Sequence, residues 1–133
     1  MNIELTYLVY TAILSVLLWI PYITNRMFLW GIGTFIGNYP EGYPEKEPIP
    51  PMWAQRSKRA HLNLVETLPA FAAVVLVATI VSPGSESAIC WAKIFFISRI
   101  IHAVVYTLGV PYLRTPVYLV GWFSILMIGF GVL

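Results

Sequence analysis

Residues 59–81 read RAHLNLVETLPAFAAVVLVATIV, and this stretch decides the fold. From Leu68 to Val81 it carries no charge, whereas Arg59, His61, Asn63 and Glu66 crowd the part before it. The segment begins near Trp53, so its whole length exceeds the roughly 20 apolar residues that span a hydrocarbon core at 1.5 Å per residue. Its polar part lies toward one face of the bilayer and its apolar part spans the rest. The remainder of the chain repeats this character. Residues from about Leu5 to Phe28, extending through Trp30–Ile36, form a first apolar segment. Ser87 to Leu108 form a third, and Thr115 to Leu133 a fourth. In lipid every backbone polar group needs a partner within the chain, so only helices or a closed barrel can cross. The segments lack the alternating pattern of barrel strands. The expectation is an all-α integral membrane protein, a bundle of four transmembrane helices over about 5–36, 53–81, 87–108 and 115–133.

Composition agrees. Hydrophobic residues make up 59% of the 133 and charged ones 11%, with mean hydropathy +0.77, which leaves too little polar surface for a soluble shell. Length allows one domain. A net charge of +2, dispersed along the chain, excludes a nucleic-acid surface. Cys90 is the lone cysteine, so an internal disulfide is impossible, and it reads as a small apolar filler. The N-terminus has Glu4 in place of a basic n-region and lacks a small-residue cleavage site, so it reads as a retained helix.

The connections are unequal. Residues 38–51, NYPEGYPEKEPIPP, form an extended aqueous loop with five prolines, and Ser82-Pro83-Gly84-Ser85 is a tight turn. Gly31-Ile32-Gly33 has no preceding strand and is no nucleotide loop. Arg26, Lys46, Arg56, Lys58, Arg59 and Arg114 fall at the ends joined by the first and third loops, against Lys93 alone on the other side. By the positive-inside rule those loops are cytoplasmic and both termini lie on the non-cytoplasmic side. A bacterial inner membrane is the expected setting.

Chemistry concentrates near that side. Arg59, Asn63 and Glu66 share one face of the second helix at i, i+4, i+7. Arg99, His102 and Tyr106 share one face of the third at i, i+3, i+7, and Arg114 and Tyr118 open the fourth. Arg26 closes the first. Glu66 lies roughly 10 Å beyond Arg59 and Arg99 roughly 13 Å before Leu108, which brings them to a similar depth. A charge near the helix centre costs about 2.5–3.5 kcal/mol, so Glu66 and Arg99 are expected as a structural ion pair. No metal site is expected, because His102 lacks a second suitably placed histidine. Three arginines, a glutamate, an asparagine and tyrosines suit an anionic peptide-like ligand, and glutathione has that charge layout.

Taken together, Arg59-Ala-His-x-Asn63-x-x-Glu66, Arg99-x-x-His102-x-x-x-Tyr106 and Arg114-x-x-x-Tyr118 resemble the membrane-associated eicosanoid and glutathione metabolism (MAPEG) family, across essentially the whole chain. The resemblance implies glutathione contacts at Arg26, Arg59, Asn63, Glu66, His102, Tyr106, Arg114 and Tyr118, with Arg114 in the place of the arginine that stabilises the thiolate. It also implies a homotrimer with sites between subunits, embedded in membrane lipid. The activity it implies is that of a glutathione transferase or peroxidase acting on a lipophilic electrophile. Leu62 stands where some relatives carry a second arginine, and the proline-rich loop has no evident counterpart. Two other classes stay open on the residues alone. A small four-helix transporter would use Glu66 as a proton-coupled carboxylate, and a lipid-binding or assembly protein would do no chemistry.

Overall fold

The structure, a computed structural model, describes residues 1–133, and its regular secondary structure is all helix, with no strands. The helices are α1 (Ile3–Leu17), α2 (Ile20–Trp30), α3 (Ile32–Gly37), α4 (Met52–Val81), α5 (Glu86–Leu108) and α6 (Arg114–Phe130). Ile3–Trp30, Met52–Val81 and Glu86–Leu108 are long and apolar enough to cross a membrane. The fourth, α6, is a shorter apolar helix of 17 residues, or about 25 Å.

The helix expected over 5–36 is divided in two places. Pro21 has no N–H to donate, and its ring clashes with the carbonyl four residues back, which is that of Leu17, where α1 ends. Gly31, at φ 84°, separates α2 from α3 in a conformation that side-chain-bearing residues rarely adopt. Pro51 precedes α4, its fixed φ suiting the entry to a helix. At 30 residues α4 is about 45 Å long, against a hydrocarbon core of about 30 Å, so its first turns project toward water. Those turns carry Gln55, Arg56, Lys58 and Arg59.

Helix α5 has defined ends. The Ser85 hydroxyl accepts from the Ala88 N–H at 3.3 Å, and Glu86 complements the dipole of the first turn. At the other end Gly109 adopts φ 72°, with its N–H donating to the Tyr106 carbonyl and that of Val110 to the Val105 carbonyl, a Schellman closure. This turn sends the chain back along α5 as α6.

Helix α4 buries Ala54, Ser57, Ala60, Leu64, Thr67, Phe71, Val75 and Ala78, a stripe at helical spacing. It meets Ala88, Ala92 and Phe95 of α5 and Ile128 of α6. Phe71 and Phe95 stack with ring centroids 3.9 Å apart. Lipid is as apolar as these side chains, so close packing rather than expulsion of water holds the helices together. Further along α5 the buried face changes character to Ser98, Arg99 and His102. Most buried polar side chains thereby gather at the end of the bundle where α4 starts and α5 meets α6. Glu4 is buried at the other end, accepting at 3.3 Å from the Thr79 hydroxyl. Cys90 is exposed near the start of α5 rather than filling the core. It lies between the buried Ala88 and Ala92, on the side they turn outward.

Candidate functional site

Three cavities open at the polar end. The first, about 380 Å³, lies between α2 and the start of α4, beneath the proline-rich loop. Arg26, Lys58 and Arg59 supply its cations, Glu47 of the loop its one carboxylate, and Tyr22, Leu29 and Trp30 its aromatic and apolar wall. Arg26 reaches Glu47 at 3.6 Å and lies over the Trp30 ring at 5.2 Å. Tyr22 shares a 2.8 Å hydrogen bond with Nδ1 of His61, which ties α2 to α4.

The second cavity, about 350 Å³, is lined by Arg56, Tyr106, Arg114, Thr115 and the turn from Gly109 to Tyr112. The third, about 290 Å³, is lined by Asn63, His102, Tyr106, Arg114, Thr115 and Tyr118. Tyr106, Arg114 and Thr115 border both. The Arg114 guanidinium lies over the Tyr106 ring at 4.8 Å. His102 meets Tyr106 edge-on, and its ring lies 5.8 Å from that of Tyr118.

Behind Tyr118 sits Arg99, 1% exposed. Its guanidinium lies 4.8 Å from the Tyr118 ring and 5.0 Å from that of Phe95, and it donates to the Tyr118 carbonyl at 3.3 Å. Gly121 makes room for it, since a side chain there would collide with the guanidinium. Arg99 therefore holds Tyr118 from behind while His102 flanks it from the cavity side.

The eight expected contacts are distributed unequally. Asn63, His102, Tyr106, Arg114 and Tyr118 come together in the third cavity; Arg26 and Arg59 line the first; Glu66 lines none of them. The expected Glu66–Arg99 pair does not form within the chain, whose salt bridge joins Arg26 to Glu47 instead. Similar depth does not make neighbours, because the two residues face different ways. Arg99 follows the α5 face that packs on α6, while Glu66 shares an outward α4 face with Leu62, Val65 and Pro69. Thr115 and Arg56 were outside the expected set. Thr115 had the signal of adjacency to Arg114, and Arg56 that of lying one turn before Arg59.

Fold and site together define a helical membrane bundle that carries a cationic, tyrosine-walled cavity at one end. The sequence matches the MAPEG family over residues 5–133, nearly its full length, and the chain belongs to that family. Comparison with curated proteins gives no significant match. Comparison with solved structures gives none either.

Proposed function

We propose that the chain is a glutathione-dependent membrane enzyme of the transferase or peroxidase kind, acting on a lipophilic electrophile. The observation that carries this reading is the third cavity, where Arg114, Asn63, His102, Tyr106, Thr115 and Tyr118 converge with no acidic side chain among them. The residues fit the proposed ligand. Nε2 of His102 is buried and has no hydrogen-bond partner within the chain, and Arg114 has no carboxylate beside it. Glutathione supplies a thiol nucleophile when bound. Arg114 opens α6, so its charge and the helix N-terminus act in the same direction on a sulfur at the cavity mouth. Asn63, Thr115 and the tyrosines orient the polar peptide by hydrogen bonds. The lipophilic substrate reaches the sulfur from the bilayer.

Arg26 and Arg59 line a cavity that shares no residue with the third. One ligand meets both sets when the first cavity of one subunit faces the third cavity of a neighbour. This supports the homotrimer common to the family, with Glu66 on the face so covered. Titration of the purified protein with glutathione in a calorimeter should give saturable binding that depends on Arg59 and Asn63. A folded oligomer that binds no thiol would sink the reading in favour of a non-catalytic lipid-binding protein. The distribution of basic residues supports cytoplasmic placement of the site. A reporter fused after Leu133 should lie outside the cytoplasm and one inserted near Gly42 inside it; the reverse pattern would remove the site from cytosolic thiols.

A further inference from the structure

We propose that Arg56 and Arg114 form a seat for the phosphate of an anionic phospholipid, in the second cavity, where the start of α4 meets the α5–α6 turn. The seat is built into the backbone. Gly109 takes a left-handed conformation, φ 72°, to close α5, and the Arg56 guanidinium lies against it in the space a Cβ would occupy. No acidic side chain lines this cavity of about 350 Å³. The chain has six acidic residues, all glutamates, and the one ion pair formed uses Glu47 with Arg26, so Arg56 and Arg114 have no counter-charge of their own. Two guanidiniums facing one space match a phosphate, whose oxygens accept paired N–H donors.

Depth and surroundings select a lipid over free phosphate. Arg56 lies in the turns of α4 that project past the hydrocarbon, and the Gly109–Leu113 turn joins two membrane helices at that same level. Val110, Pro111 and Tyr112 form the flank beside the guanidiniums, Tyr112 being 93% exposed, as suits an interfacial aromatic beside glycerol and acyl groups. Basic pockets between helices on the cytoplasmic side bind acidic headgroups by this logic. A zwitterionic headgroup brings a cation that the guanidiniums repel, so phosphatidylglycerol should be preferred to phosphatidylcholine.

The seat shares Arg114 with the thiol site, so its test varies Arg56 alone and contains no thiol. The intact oligomer is released from detergent in a native mass spectrometer with phosphatidylglycerol, phosphatidylcholine or inorganic phosphate. Phosphatidylglycerol adducts should survive at lipid concentrations about tenfold below those needed for phosphatidylcholine. Arg56→Gln should abolish that preference, and Arg56→Lys, which keeps the charge but loses the planar fork, should reduce it. Circular dichroism verifies that the Gln variant is folded; should it not be, the Lys variant carries the test. Equal retention of the two lipids, an unchanged preference in both variants, or displacement of phosphatidylglycerol by equimolar inorganic phosphate would each overturn the proposal.

Discussion

Replacing Arg114 with alanine is expected to remove the ultraviolet thiolate absorbance of bound glutathione and to lower turnover by about a hundredfold or more. The expectation follows from position. Arg114 is the first residue of α6, exposed, and borders the third cavity with its guanidinium over the Tyr106 ring at 4.8 Å. Each unit by which a thiol pKa is depressed represents about 1.4 kcal/mol of preference for the thiolate, and a guanidinium is the one fixed full charge lining this cavity. Affinity should fall only modestly, since Asn63, His102, Thr115 and the tyrosines remain. Arg59→Ala should behave in the opposite sense, raising the dissociation constant about tenfold while leaving the thiolate signal at saturation. An Arg114→Ala protein that still ionises bound thiol at neutral pH would transfer the role to Tyr106 or Tyr118.

The two variants also test the site's assembly. Within one chain Arg59 and Arg114 line separate cavities. If a ligand spans two subunits, an oligomer mixing Arg59→Ala with Arg114→Ala chains contains some junctions where both native arginines meet. At sub-saturating glutathione such mixtures should turn over faster than either variant alone. If the site lies within a single chain, mixing recovers nothing, and the shared-site proposal fails while the thiolate assignment stands.

How far the sequence could be read depended on the kind of information needed. Membrane character and helix content were legible because they are sums over long segments: the run from Leu68 to Val81 and the apolar stretches like it leave few alternatives. The family was legible because its signatures fall at fixed spacings along α4, α5 and α6. The break near Leu18 carried a signal in Pro21 that the apolar run obscured. Pairing between helices was less accessible. Depth follows from counting residues, whereas the direction a side chain faces depends on how each helix is rotated against its neighbours. Hence Asn63, His102, Tyr106, Arg114 and Tyr118 converge, while Arg99 is buried and Glu66 faces outward. Arg56 illustrates the same limit. Its partner is the Gly109 turn, remote in sequence, and nothing local to α4 foretells that contact.

Gly121→Ala is expected to lower the thermal midpoint by about 3–15 °C, because Arg99 occupies the space the new methyl group needs. Gly121 is buried on α6, and a Cβ there would lie 2.8 Å from Cζ and Nε of Arg99, well inside contact distance. Overpacking of this kind costs about 1–3 kcal/mol, and each kcal/mol moves the midpoint of a chain this size by about 3–5 °C. The guanidinium has no easy retreat. It is wedged between Phe95 and Tyr118, and its bond to the Tyr118 carbonyl is the one hydrogen bond the chain gives it. Displacing it also disturbs Tyr118, so the variant should bind glutathione more weakly even where it stays folded. The cause can be isolated by repeating the substitution in an Arg99→Met background. Methionine fills the stem of the arginine and leaves the guanidinium's place open, so there Gly121→Ala should cost little. A buried cation replaced by an apolar side chain of similar reach is often tolerated, which makes the background usable. Equal destabilisation by Gly121→Ala in the Arg99 and Arg99→Met backgrounds would show that the glycine is needed for helix packing alone, and that Arg99 is not seated upon it.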